Sequence, residues 1–196
     1  MLWATILSRQ PPLCFILPAL FPGLPADAPA RERRLEGVMR PRSLDEFLKK
    51  NRVPYTTFRH APAFTAMQAA QLSHVPGHSW AKTVVCYAGD EVILAVVPAH
   101  YKVDCDKLRE LAGASTLRLA SEPEIGKLYP DCEEGALPPF GGAYNRRVFV
   151  EQCFVGDPEM VFSAGTYTDC IRMHYGDFAD LANPIVGTFS KPRQES

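Results

Sequence analysis

The sequence predicts an α+β fold: a curved, mixed and mostly antiparallel sheet with short flanking helices. Three observations predict it. β-rich runs and capped helical segments intermingle without a strict βαβ rhythm, which argues against a doubly wound parallel sheet. Two β-branched runs are split by Ala88-Gly89-Asp90-Glu91, a hairpin signature. The helical segments are short and open on capping boxes. The chain has 196 residues, 46% hydrophobic and 22% charged, which suits one domain plus a tail and excludes wholesale disorder.

Residues 1–38 stand apart. They hold Pro11, Pro12, Pro18, Pro22, Pro25 and Pro29 and end in the charged stretch Arg31 to Glu36. They read as a disordered or mis-assigned extension, with folding starting near Met39 and the domain running over residues 39–185. Ser43-Leu44-Asp45-Glu46 is a capping box that opens a helix with Leu44, Phe47 and Leu48 on its apolar face, ending before Pro54. Tyr55 to Arg59 alternates as a strand. Thr65 to Gln68 is a second capping box, opening a short Ala-rich helix that ends near Ser73, and Val75-Pro76-Gly77 is a turn.

The hairpin follows, Lys82 to Tyr87 and Val92 to Val97, closed by Pro98. Asp104 caps a helix carrying Leu108 and Leu111, and Gly113 stops it. Leu117 to Leu119 is a short strand. Ser121-Glu122-Pro123-Glu124 is a third capping box, with proline in the first turn where its missing amide costs nothing. Arg147 to Glu151, Met160 to Ser163 and Asp169 to Met173 read as strands, and Asp177 to Leu181 as a final helix. From Asn183 the sequence reads as loose, with 186–196 as a tail.

Charge and composition exclude several functions. There are 21 basic and 22 acidic residues, a net charge of -1, so no global positive field exists to wrap DNA or RNA, and only local basic patches remain available. No apolar run reaches the roughly 18 residues that span a bilayer. The six cysteines are scattered, without a CxxC pair, and read as reduced thiols in a cytosolic protein. Walker, GxGxxG, HExxH and Gly-x-Ser-x-Gly motifs are absent. His74 and His78 are separated by Pro76-Gly77, so they do not share a helix face as metal ligands. No cofactor and no metal is expected.

Three segments are unusual in placement. Lys82 opens an apolar strand, where its ammonium either aims at a phosphate or carbonyl or snorkels to water. Gly135-Ala136-Leu137-Pro138-Pro139-Phe140-Gly141-Gly142 is a stiff loop that is either a plain turn or a presenter of main-chain groups to a ligand. Ser163-Ala164-Gly165-Thr166 is either a bare turn or the floor of a pocket lined by small residues.

Taken with Val53-Pro54-Tyr55, His60-Ala61-Pro62, Phe64-Thr65-Ala66, Ala81 to Val85, Leu94 to Ala99 and Ile171-Arg172-Met173, these segments resemble the YbaK/prolyl-tRNA editing family over residues 40–182. The order of the pieces carries the resemblance. It implies hydrolysis of the ester joining a wrong, small amino acid to the terminal adenosine of tRNA, with the tRNA acceptor end as partner and association with a synthetase. It implies that Lys82 is the pocket lysine. Gly135 to Pro139, with Ala136, Leu137 and Pro138 between, matches the GxxxP loop that orients the ester and a water; the tRNA 2′-hydroxyl assists. Ser163, Ala164, Gly165, Thr166, Tyr167, Thr168 and Asp169 are expected to line the substrate pocket. An activated ester needs little beyond positioning, and each well-aimed donor at an oxyanion contributes roughly 3–4 kcal/mol. A pocket that must separate amino acids differing by one methylene gains only about 1–3 kcal/mol, which is why a second sieve exists.

One departure stands out. Many relatives carry histidine where this chain has Tyr167, and tyrosine, with a free pKa near ~10, is no base at neutral pH. The alternative is therefore a non-catalytic module that binds aminoacyl-tRNA, a nucleotide or a protein through the same pocket. A thiol enzyme using one of the cysteines is a third reading. For the acceptor stem, the basic residues between Arg31 and Arg52, and Arg146 with Arg147, are the local patches on offer.

Overall fold

In the computed structural model, residues 42–193 are described. The expected start at Met39, the extension before it and Cys14 lie outside them.

A five-stranded mixed sheet organises the domain, in the order β5 (Leu117–Leu119), β2 (Ala81–Ala88), β3 (Glu91–Pro98), β6 (Arg147–Glu151), β9 (Ile185–Gly187). β2 and β3 are the expected hairpin, paired from Ala88↔Glu91 to Ala81↔Pro98. Gly89 takes φ +60°, the left-handed conformation that its two-residue turn needs. β6 and β9 join in parallel. A three-stranded antiparallel sheet, β1 (Thr56–Arg59), β8 (Asp169–Met173) and β7 (Met160–Ser163), packs beside it. β4 (Tyr101–Val103) and β10 (Ser190–Pro192) form a separate antiparallel ribbon.

After Glu91, β3 is apolar because both of its faces are covered. Val92, Leu94 and Val96 pack with Leu44, Leu48, Phe140, Phe162, Ile171 and Phe178. Ile93, Ala95 and Val97 pack on the opposite face with Leu108, Phe149 and Phe189. A smaller cluster of Ala63, Ala69, Ala70, Val75, Trp80, Val161 and Cys170 fills the space between α2 (Ala66–Leu72) and the three-stranded sheet.

The helices follow their caps, with shifts at the ends. α1 (Arg42–Asn51) begins one residue before the serine expected to cap it, and the Ser43 side chain lies outside the described set. Helix ends fray over this distance. Thr65 Oγ1 caps α2 by accepting from Gln68 N–H at 3.2 Å, but the Gln68 side chain reaches one residue further back than expected, to Phe64 N–H. Asp104 caps α3 (Cys105–Ala112), and Gly113 ends it at φ +68°. Ahead of α4 (Glu122–Leu128), the Glu124 carboxylate accepts from both Ser121 N–H and Ser121 Oγ, at 2.8 and 2.9 Å. α5 (Tyr175–Ala182) starts two residues earlier than expected.

The end of the chain departs most from the expectation. Residues after Asn183 are not loose: β9 and β10 both pair, and Phe189 is fully buried. Phe189 N–H donates to the buried Glu151 carboxylate at 3.0 Å. Three-residue strands broken by Gly187 and Pro192 are too short to show a period, so the alternation that marks longer strands never develops.

Candidate functional site

The Gly135–Phe140 loop and the turn after β7 are built as one unit. Gly165 N–H donates to Ala136 O at 3.0 Å, and Glu133 N–H donates to Gly165 O at 2.8 Å. Gly135 at φ +76° and Gly165 at φ +95° hold the left-handed conformations that bring the two chains together. Leu137, Phe140 and Ala164 anchor them in the main core. Pro138 and Pro139 have no N–H to give. Among the described residues the amides of Gly135 and Leu137 have no hydrogen-bond partner, so the loop keeps main-chain donors in reserve.

The start of β2, which carries Lys82, runs beside β7. Trp80 forms a parallel bridge with Val161, and Val161 N–H donates to Ser79 O at 3.0 Å. Two residues beyond that pair on each strand, on the same face by alternation, come Lys82 and Ser163. From Ser163 the chain enters the turn that binds the loop. The Lys82 ammonium donates to Tyr101 O and, at 3.3 Å, to Ala99 O. An ammonium has three protons, so one remains for a ligand. Burial, followed by the charge of Arg193, pulls Lys82 down to about 8. It is still mostly a cation at neutral pH. Its hydrogen bonds run to Ala99 after β3 and to the first residue of β4, not to the Gly135–Pro139 loop.

The far side of the turn carries Thr166 to Asp169. Asp169 is only 1% exposed; it pairs with Arg59 at 2.6 Å and accepts from Thr166 Oγ1 at 2.7 Å. These bonds commit its carboxylate to holding the turn. Tyr167 is fixed by its main chain: its N–H donates to the Glu133 carboxylate, and its carbonyl accepts from Ala63 N–H at 3.1 Å. Thr168 O accepts from His60 N–H at 3.1 Å. The Tyr167 ring meets Phe64 edge-on, with centroids 5.1 Å apart, and Phe64 is 70% exposed. Phe64, Arg59 and Glu133 hold the Tyr167–Asp169 segment, and pattern reading did not assign them to it. Phe64 is adjacent to a capping threonine, and an exposed aromatic there has no periodic signature. Burial, Glu134 and Glu133 all push the Tyr167 phenol up, further from use as a base.

Other candidates are occupied or inert. Cys86 and Cys170 are pushed up to about 12 by burial, and Cys132 and Cys153 to about 11, so these thiols stay protonated. Arg147 is forked onto Glu91 at 2.8 and 2.7 Å. Among the described residues no three His, Cys, Asp or Glu side chains cluster as a metal site, and no helix is long and apolar enough to cross a membrane.

Comparison with known proteins gives a consistent picture. The aminoacyl-tRNA editing domain family matches residues 60–181. No curated protein matches significantly. Among solved structures, the hypothetical protein APE2540 superposes with a TM-score of 0.69 at 20% identity, covering 76% of this chain and 99% of its own. A protein proposed as a trans-editing enzyme for prolyl tRNA synthetase superposes with a TM-score of 0.67 at 22% identity, covering 77% of this chain and 96% of its own. A scaffold used for computational epitope grafting gives a TM-score of 0.68 at 21% identity, over 77% and 97%.

Proposed function

Because the chain belongs to the aminoacyl-tRNA editing domain family, we propose that it is a free-standing deacylase that hydrolyses the ester of a small, wrong amino acid on the terminal adenosine of tRNA. What supports the reading is that the Ser163–Gly165 turn is hydrogen-bonded to the Gly135–Pro139 loop, while the strand that carries Lys82 starts beside the strand that enters the turn. In this reading the third proton of Lys82 holds the aminoacyl carbonyl or the terminal nucleotide. The spare amides of Gly135 and Leu137 meet the oxyanion that forms when water attacks. Charge developing on the carbonyl oxygen is then stabilised by donors already in place, which is where such sites gain most of their rate. No protein nucleophile takes part, in keeping with the protonated thiols. The water gives its proton to the substrate side, the tRNA 2′-hydroxyl assisting, since Tyr167 is no base and Asp169 is held by Arg59 and Thr166. The activity belongs in the cytoplasm with the aminoacyl-tRNA pool, alongside a synthetase.

The test is hydrolysis of a panel of mischarged tRNAs, including alanyl- and seryl-tRNA. The expected result is turnover of at least one, lowered about 10²–10³-fold in Lys82→Ala, the range for loss of one preorganised donor. Equal rates for both proteins, or none above buffer, remove the reading. Tyr167 favours a second one, a binding module, which predicts capture of a non-hydrolysable aminoacyl-adenosine without turnover of any ester.

A further inference from the structure

The β4–β10 ribbon carries more positive charge than its own ion pairs answer. Lys102 stands directly opposite Lys191 in its register. Like charges facing across a ribbon are destabilising. Lys191 is answered by Asp104 at 3.0 Å, whereas Lys102 is exposed and makes no ion pair among the described residues. Arg193 follows at once, exposed, its N–H donating to His100 O at 2.9 Å. The acids on this side, Asp104 and Asp106, belong to the start of α3, and Asp104 is engaged both by Lys191 and as the helix cap.

The ribbon is continuous with the site. Ala99 and Tyr101, whose carbonyls hold the Lys82 ammonium, lead straight into β4. Arg193 is close enough for its charge to be felt at Lys82. A strand advances about 3.4 Å per residue, so Lys102 lies a single step beyond the residue that binds Lys82. A polynucleotide whose last nucleotide reaches Lys82 has its preceding phosphates to place nearby, and they recur about every 3.4 Å of axis in each strand of a duplex.

We infer that the β4–β10 ribbon, through Lys102, Lys191 and Arg193, binds the phosphates of the 3′ end of tRNA as it enters the site. The inference rests on the editing reading of that site and assigns it an RNA surface different from α1 and from Arg146–Arg147. Phosphate contacts of this kind position the substrate without reading its sequence.

The experiment is titration of the full chain with uncharged tRNA at several salt concentrations between about 50 and 200 mM. The double variant Lys102→Ala with Arg193→Ala is expected to bind about tenfold more weakly at the low end. Its log–log salt slope is expected to be shallower by about 1.5, from two lost contacts at roughly 0.7–0.9 each. Lys102→Arg, which keeps the charge, is expected to restore most of the loss contributed by that position. Thermal unfolding checks that each variant is folded, and the single Lys102→Gln serves if the double variant is not. Unchanged affinity and slope, or absence of tRNA binding by the parent, overturns the inference; the ribbon then serves another anionic partner or none. Salt-dependent binding lost in the variants, with no ester hydrolysed by the parent, leaves the ribbon standing and removes the deacylase. Deacylation with an unaltered slope in the variants does the reverse.

Discussion

Lys82 sits where two demands conflict. The proposed reaction wants a cation, and burial beside Arg193 disfavours one, which leaves the lysine at about 8. A lysine that must be protonated gives a rate that is full below that value and lost as pH rises through it; a lysine acting as base gives the opposite limb. The expected profile, corrected for hydrolysis without enzyme, therefore falls near pH 8. Arg193→Ala is expected to move that limb to higher pH, because it removes the repelling charge. A rate that rises through the same interval, or a limb indifferent to Arg193, contradicts the assigned role. Sequence made Lys82 visible as an ammonium at a strand mouth but could not decide between ligand and solvent. That decision lies in the Ala99 and Tyr101 carbonyls, which come from the far end of the hairpin.

At the scale of elements, the segments legible in sequence were those with local chemistry. The hairpin turn declares itself through Gly89, and Asp104, Ser121 and Glu124 declare their helices because capping bonds span only three residues. Contacts made over distance stayed hidden: the Gly165–Ala136 bond, the Arg59–Asp169 pair and the edge-on contact of Phe64 with Tyr167. Glycine shows the same divide. Gly141 reads only as one of the glycines that bound a stiff loop, but a Cβ there would lie 2.1 Å from Arg146 O and 2.6 Å from Val148 Cγ2. The turn that carries the loop back into β6 is thus closed against any side chain. Gly141→Ala is expected to cost about 3 kcal/mol or more, since main chain must move. At Gly187 the clash is with Leu111 Cδ2 at 2.5 Å, the end of a half-exposed side chain that can swing away, so Gly187→Ala is expected to cost less than about 1 kcal/mol. Chemical denaturation of the two variants checks the contrast; equal losses would show that the Gly141 turn has slack.

At the scale of the whole molecule, the proposed site falls at the junction of two sheets. The five-stranded sheet supplies Lys82, the three-stranded sheet supplies the Ser163–Asp169 turn, and the core around Phe140 fixes the loop between them. The last strands complete this frame: Phe189 fills the second face of β3, Glu151 secures it, and β10 carries the ribbon up to Arg193. The editing account depends on this junction accepting an aminoacyl ester. The most direct measurement is a crystal structure with an aminoacyl-adenosine analogue in which an amide replaces the ester. The expected result is its carbonyl oxygen within hydrogen-bond distance of Lys82 Nζ and of the Gly135 or Leu137 amide. An analogue bound elsewhere, with Lys82 still engaged by Ala99 and Tyr101 alone, would contradict it.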